Sequence, residues 1–264
     1  MERTRLGKAM IGIVEDYEQW RAPFKEHGGI TMPITQEMET DRNKSLFLTL
    51  TTALNRQRDA EMLYSKFERL WYDEHRIFEP DFLVGEDRYD ELERLFVKEG
   101  VRFGKKDAQA WYEVARTLFR DHESNPMYLF RSFEFDRERI AQHVINASGD
   151  TRFYSYSYPV LRGDKVRPMW LRLINNQVHP LGKMGGADIS VDSHIISFTN
   201  RLLKTEYTRA GEDKEEIRRF WRDVCEGHPI TPVDIDGPIW YIDRGWEDWG
   251  KRYFERKIQE KSAA

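Results

Sequence analysis

The sequence predicts an all-α protein. Apolar residues recur at intervals of three and four along most of the chain, as on the buried face of a helix. Signals for strands are weak, and prolines and glycines gather mainly in two loops, at about 180–186 and 229–238. With 264 residues, the chain is long enough for one or two domains with a substantial core.

The first half of the chain contains three well-marked helices. Apolar faces extend over residues 46–54, 63–71 and 110–119. Asp59 and Asp107 precede the second and third of these faces, and aspartate is a favoured residue for capping a helix N-terminus. We therefore expect both aspartates to be caps.

Four further helices are predicted in the second half. One extends from about Asp136 and ends before Gly149, and the others cover about 166–174, 195–203 and 217–224. The segment 153–160 alternates aromatic residues and serine like a strand. Its proline and a nearby glycine indicate an approach to a turn instead.

Composition excludes several classes of protein. The formal charge is −4 and the pI about 6.0, which argues against a globally basic nucleic-acid coat but not against a local basic face. Cys225 is the only cysteine, so the sequence predicts no disulfide framework, no CxxC zinc site and no four-cysteine iron–sulfur cluster. The first twenty residues resemble neither a signal peptide nor a membrane span, and we expect a soluble intracellular protein.

Positive charge is concentrated in one segment. Residues 151–187 contain six basic residues and one acidic residue, Asp164. Three tyrosines and one tryptophan are interleaved with them: Tyr154, Tyr156, Tyr158 and Trp170. Such a segment suits phosphate contacts combined with stacking on bases. Charge alone favours the simpler interpretation, an ordinary solvated basic face.

Four short motifs occur in a distinctive order. They are Leu54-Asn55-Arg56-Gln57-Arg58-Asp59, Gly100-Val101-Arg102-Phe103-Gly104-Lys105-Lys106-Asp107-Ala108, Leu161-Arg162-Gly163-Asp164-Lys165-Val166 and Val191-Asp192-Ser193-His194. Together with the intervening helices, they resemble the helix–hairpin–helix DNA glycosylases, the superfamily of endonuclease III and 8-oxoguanine glycosylase. The missing cysteines point away from the iron–sulfur branch. The resemblance covers about residues 45–225.

The resemblance implies a catalytic pair. Lys165 would attack C1′ of the damaged nucleotide and form a Schiff base, which permits strand cleavage by β-elimination. Attack requires a neutral amine, which neighbouring cations (Arg162 and Arg167) and an apolar wall would favour. Asp192 would stabilise the positive charge that develops on the sugar. From the residues alone, Lys165 is a surface lysine at a helix start and Asp192 a helix N-cap.

Further roles follow from the same resemblance. Gln57, or else Asn55, would fill the space left by the extruded base, with Arg56 facing the opposite base. Without the resemblance, this loop is a simple turn between helices. Backbone N–H groups of the hairpin would hold a phosphate, a role shared by Leu161, Arg162, Gly163, Asp164 and Arg167. Met169 and Trp240 are candidates for the base pocket.

The resemblance also implies an architecture and partners. A six-helix domain would cover 44–175 and end in the helix–hairpin–helix. A second helical domain, built from 1–43 and 176–264, would carry Asp192, with DNA in the cleft between the two. We expect a monomer that requires no cofactor, with a monovalent cation at the hairpin inferred from resemblance only. The partner is double-stranded DNA containing a damaged base, with no membrane, in the nucleoid of a prokaryote or the nucleus of a eukaryote.

Three interpretations of the function remain open, and the first of them has two possible substrate classes. The leading one is a glycosylase/AP lyase for an oxidised purine such as 8-oxoguanine, followed by one for oxidised or modified pyrimidines. A monofunctional glycosylase would release the base and leave the strand intact. A non-catalytic protein could use the same hairpin only to contact phosphates.

Overall fold

The computed structural model describes residues 3–27, 35, 38–182 and 188–260. Within these residues the secondary structure is helical. The backbone pairing outside helices is limited there to one isolated parallel bridge, between Asp136 and Gly182. The all-α prediction is therefore confirmed for the described part of the chain.

The helices have the following bounds. In chain order they are α1 (Arg3–Glu18), α2 (Phe24–His27), α3 (Asp41–Thr52), α4 (Ala60–Asp73), α5 (Tyr89–Lys98), α6 (Lys105–Asp121), α7 (Pro126–Ser132), α8 (Arg137–Asn146), α9 (Val166–Gln177), α10 (Ser193–Leu203), α11 (Gly211–Cys225), α12 (Pro232–Arg244) and α13 (Lys251–Glu260). Short 3₁₀ or π turns occupy His75–Phe78, Asp81–Gly85 and Trp246–Gly250.

The chain forms two compact units. The central unit is Gly29–Lys183, and the terminal unit combines Met1–Gly28 with Met184–Ala264. The resemblance places the domain boundaries after residues 43 and 175, whereas the boundaries of these units follow residues 28 and 183.

Helix α3 is the central helix of the central unit. Every residue from Ser45 to Thr52 is buried, and the helix packs against α4, α6, α7 and α9. Aromatic rings fill the space around it, with Trp111 stacked on Phe67 at 5.1 Å between ring centroids. The indole N–H of Trp170 donates to the Thr49 hydroxyl at 3.1 Å, which fixes α9 against α3. Buried indoles usually need such a partner.

The terminal unit follows the same packing principle. Helix α12 packs against α1 and α10, and its apolar residues Ile235, Ile239 and Ile242 are fully buried. The prediction of a loop over 229–238 is wrong from residue 232 onward, because Pro238 lies inside α12. Burial of the isoleucine face compensates for the backbone hydrogen bond that a proline cannot make.

Of the two aspartates expected as helix caps, Asp59 is a cap and Asp107 is not, and Asp136 is a further cap at the start of α8. Asp59 accepts from the Met62 N–H at 3.1 Å, and Asp136 accepts from two N–H groups at the start of α8. Asp107 is not a cap that precedes its helix, since α6 begins two residues earlier, at Lys105. Its carboxylate instead accepts from the Phe103 N–H and pairs with an arginine in another part of the sequence, which local patterns cannot reveal.

The 153–160 segment forms no strand. Residues 147–165, which connect α8 to α9, consist of bends and turns. The Arg162 N–H donates to the Tyr158 carbonyl and the Gly163 N–H to the Val160 carbonyl, both at 3.1 Å. The expected turn before α9 is therefore present, although the connection between the two helices is long.

Candidate nucleic-acid interface

The loop between α3 and α4 separates the two residues considered for insertion into DNA. The Asn55 side chain is almost buried, and its amide donates to the Met169 sulfur on α9 at 3.4 Å. Gln57 is exposed and has a left-handed backbone with φ of 52°. The guanidinium of Arg102 donates to the Gln57 carbonyl. Of Asn55 and Gln57, only Gln57 is therefore displayed at the surface of the loop.

A buried ion pair fixes the loop to α6. The Arg58 guanidinium lies 2.6 Å from the Asp107 carboxylate, and the two side chains are only 7% and 1% exposed. The same carboxylate accepts from the Phe103 N–H at 3.2 Å. The guanidinium of Arg58 is engaged in this buried pair and is not available to a ligand. Pairs of this kind add positional specificity more dependably than net stability.

Three guanidinium groups surround the ring of Phe103. Those of Arg56, Arg58 and Arg102 lie 5.4, 5.3 and 5.2 Å from the ring centroid. Such distances allow attraction between each cation and the ring face. The side chain of Arg56 is partly exposed and that of Arg102 is exposed. The two therefore present positive charge to solvent beside Gln57.

The segment that follows α8 is held by a buried carboxylate. Glu113 accepts the backbone N–H groups of Arg152 and Phe153 at 2.6 and 2.9 Å. Burial raises the pKa of Glu113, while the two N–H groups act in the opposite direction. Farther along, the Thr117 hydroxyl donates to the Ser157 carbonyl at 3.0 Å. The backbone between these points is fixed at both ends.

The three tyrosines and the tryptophan of the basic segment divide into two groups. Tyr158 and Trp170 are fully buried, and the hydroxyl of Tyr158 hydrogen-bonds to His122 at 2.9 Å. They are core residues and cannot stack on bases. Tyr154 and Tyr156 are partly exposed, with ring centroids 5.9 Å apart.

In the turn before α9, two backbone N–H groups are already hydrogen-bonded, so side chains are more available to a ligand than the backbone is. The side chain of Leu161 is fully buried, and the N–H groups of Arg162 and Gly163 are used within the turn. In the turn as folded, these two of the amides expected to hold a phosphate are already paired with backbone carbonyls. A Cβ at Gly163 would approach the Val160 carbonyl to 3.2 Å, which accounts for a glycine there. Asp164 is exposed.

Lys165 and Arg167 differ in their surroundings. Lys165 is the N-cap residue of α9, is exposed, and makes no side-chain capping bond. Arg167 is half-buried and donates to the Arg162 carbonyl at 2.5 Å. Burial lowers the pKa of the Arg167 guanidinium, and Asp164 partly offsets this effect. The apolar wall expected around Lys165 does not enclose it, although Val166 beside it is buried.

In the terminal unit, Asp192 caps α10. Its carboxylate accepts from the N–H groups of His194 and Ile195 at 2.9 and 3.1 Å. The His194 ring pairs with Asp243 at 2.9 Å and meets the ring of Trp240 edge-on at 5.1 Å. The sequence reasoning missed Asp243, because it is 49 positions from His194 and lies in no motif.

The structure joins sequence-remote motifs within the central unit. Arg56, Arg102, Phe103, Tyr154, Tyr156 and Arg162 form what we call the basic aromatic surface. The Tyr154 hydroxyl donates to the Lys106 carbonyl at 3.3 Å, which connects the two parts of this surface. Met169 belongs to the central unit and Trp240 to the terminal unit. Lys183, counted in the basic segment, lies outside the described residues.

Among the described residues, no group of three or more His, Cys, Asp or Glu side chains could hold a metal ion. No helix in that part of the chain combines the length and the apolar character required to cross a membrane.

Comparisons with protein-family models, with curated proteins and with solved structures found no match to this chain.

Proposed function

We propose that the chain is a base-excision DNA glycosylase with AP lyase activity, of the helix–hairpin–helix superfamily. One observation carries the proposal. Asn55 contacts Met169, which is 114 positions away in the sequence. The loop proposed to enter DNA therefore lies beside α9, the helix that follows Lys165. The resemblance requires these two motifs to serve one site, and nothing in their local sequence requires them to meet.

The proposed reaction begins with extrusion of the damaged nucleotide from the duplex. Opening the stack costs about a few kcal/mol, which Gln57 would offset by occupying the space left behind. Arg56 and Arg102 flank Gln57 and would face the strand that remains. With two amides of the turn engaged internally, the guanidinium of Arg162 is the better phosphate ligand there.

Lys165 then supplies the nucleophile. Its Nζ forms a bond to C1′ while the bond from C1′ to the base nitrogen breaks, and the base departs with that electron pair and takes up a proton. Loss of an amine proton and opening of the sugar give the Schiff base, and removal of a C2′ proton expels the 3′ phosphate. Because Lys165 is exposed in the free protein, bound DNA would have to desolvate its amine.

Asp192 is the second proposed catalytic residue, through its negative charge and its capacity to move a proton. Its two capping bonds fix the carboxylate at the start of α10. An oxidised purine is the favoured substrate and a modified pyrimidine the second choice, with Met169 and Trp240 proposed for the base pocket. No cofactor is proposed beyond a monovalent cation at the turn, and we propose a monomer located with cellular DNA.

Borohydride trapping tests the proposal directly. Wild-type protein, mixed with a duplex that contains 8-oxoguanine or another lesion from a panel, should give a covalent adduct and free base. Lys165→Gln should abolish the adduct, and Lys98→Gln, an exposed lysine on α5, should leave it unchanged. If no duplex of the panel yields adduct or free base, the glycosylase proposal is wrong.

The basic aromatic surface also supports a second candidate function, non-catalytic DNA binding. Its cations and rings would bind phosphates and bases without any reaction at Lys165. That function predicts tight binding of DNA with neither adduct nor released base. Base release with an intact strand would instead identify a monofunctional glycosylase.

A further inference from the structure

Two neighbouring tyrosines have no role in the proposed base excision. Tyr154 and Tyr156 have ring centroids 5.9 Å apart at an interplanar angle of 39°, and both are partly exposed. A purely structural pair of this size is normally buried, as Tyr158 is two positions later. Rings left partly open to solvent can accept a base on their faces.

Positive charge lies at both ends of the tyrosine pair. The guanidinium of Arg162 stacks on the Tyr156 ring with its central carbon 4.2 Å from the centroid. At the other end, burial raises the pKa of Tyr154, and the charge of Arg56 lowers it in part, which indicates that this cation is near. A strand of nucleic acid alternates bases with phosphates, and alternating rings and guanidinium groups match that pattern.

The backbone beneath the tyrosines is held in advance of any ligand. Glu113 fixes the two residues before Tyr154, as described above. The Arg152 guanidinium lies over the rings of Tyr89 and Phe153, at 5.2 Å from each, and pairs with Asp87 at 2.9 Å. Because contacts within the protein hold this backbone, binding would require little loss of conformational freedom.

We infer that Tyr154, Tyr156 and Arg162 form a base-stacking subsite for unpaired nucleotides of a DNA strand. The subsite shares Arg162 with the phosphate contact proposed at the turn, takes no part in the chemistry at Lys165, and rests on the proposed function only for the identity of the nucleic acid as DNA. It binds by stacking and charge, so it discriminates little among bases. Duplexes with a single-stranded stretch bind more tightly than fully paired ones of the same length.

Two oligomers of equal charge test the inference. One is a single-stranded oligothymidylate of about ten nucleotides, and the other has the same phosphates but abasic sugars. Wild-type protein should bind the thymidylate about tenfold more tightly than the abasic oligomer. Tyr156→Ala should remove most of this preference and leave the affinity for the abasic oligomer unchanged, while Tyr156→Phe retains the preference.

Tyr128→Ala is the matched control. Tyr128 is an exposed tyrosine on α7 whose ring also carries an arginine, Arg131, at 5.7 Å. The control should leave the preference for the thymidylate intact. Retention of the helical circular dichroism spectrum in each variant establishes that the fold is unchanged.

The outcomes separate the subsite from the proposed enzyme. Equal affinity of the wild type for the two oligomers, or a preference that persists in Tyr156→Ala, overturns the subsite whether or not the protein cleaves damaged DNA. A preference that depends on Tyr156, in a protein that gives neither borohydride adduct nor free base, supports the subsite and overturns the glycosylase. A variant that loses its helical spectrum is replaced by Tyr154→Ala, for which the same loss of preference is expected.

Discussion

The helices that follow Lys165 and Asp192 begin in opposite ways. Asp192 has an extended backbone and caps α10 with two hydrogen bonds, and its negative charge suits the positive end of the helix dipole. Lys165 has helical backbone angles and makes no side-chain capping bond, and its positive charge is unfavourable at that end. Helix capping accounts for an aspartate at position 192, whereas neither capping nor the helix dipole accounts for a lysine at the start of α9.

The contacts that position the two helix starts also differ. The Asp192 carboxylate is fixed by the two residues that follow it. The region of Lys165 depends on distant side chains: Tyr158 is held by His122, and Met169 receives a hydrogen bond from a loop that is itself fixed by Arg58 and Asp107. Changes far away in sequence should therefore disturb the Lys165 region more than local ones.

The largest effect is expected from Asp107→Asn. This change leaves the buried guanidinium of Arg58 without its counter-charge, and removal of one partner from a buried ion pair costs about 3–5 kcal/mol. Urea denaturation should show that loss. Asp223→Asn is the control, because it breaks a pair with Arg3 that is largely exposed and worth less than about 1 kcal/mol. Equal losses in the two variants would contradict the proposed support of the Lys165 region.

Acid should destabilise the Lys165 region next. Burial lowers the pKa of His122 from 6.5 to about 4, with Asp121 opposing the shift and His143 and Arg120 adding to it. Above pH 6.5 the histidine is neutral in the folded and unfolded states. As the pH falls from 6.5 to about 4, the unfolded state binds the proton first, and stability falls by about 3 kcal/mol.

Urea denaturation at a series of pH values measures this loss. His143, whose pKa is also lowered by burial, contributes in the same direction. His122→Asn should make the dependence between pH 6.5 and 4 distinctly shallower. If the variant and the wild type lose stability in parallel over that range, His122 is not the group responsible.

A smaller effect is expected at the Asp192 helix. Asp192→Ala removes both capping bonds and should lower the free energy of unfolding by about 1 kcal/mol, whereas Asp192→Asn keeps a capping oxygen and should change it by only a few tenths. In a glycosylase, both variants should lose base release by at least about 100-fold. Full activity in Asp192→Asn would leave the residue with its capping role only.

The smallest change in stability is expected from Lys165→Gln. The side chain is exposed and does not cap α9, so the free energy of unfolding should stay within about 0.5 kcal/mol of the wild-type value. Thermal unfolding followed by circular dichroism measures this. A loss larger than that of Asp192→Ala would reverse the comparison between the two helix starts, because Lys165 would then have a structural role.

Helix positions were predictable because they depend on local periodicity and capping. Helix α8 begins directly after Asp136 and helix α4 directly after Asp59, as the sequence indicates. Two predictions based on local signals were wrong. Asp107 pairs with Arg58 instead of preceding its helix, and Pro238 lies within α12, because buried partners distant in sequence outweigh a local preference.

The sequence by itself determined the helical class, most helix starts and the order of the motifs, because spacing and capping act within a few residues. Only the tertiary structure decided which aromatic residues of the basic segment are core and which face solvent. It also brought Asn55 to Met169 and grouped Arg56 and Arg102 around Phe103. These contacts depend on how α3, α6 and α9 pack, and packing joins positions that no local pattern relates.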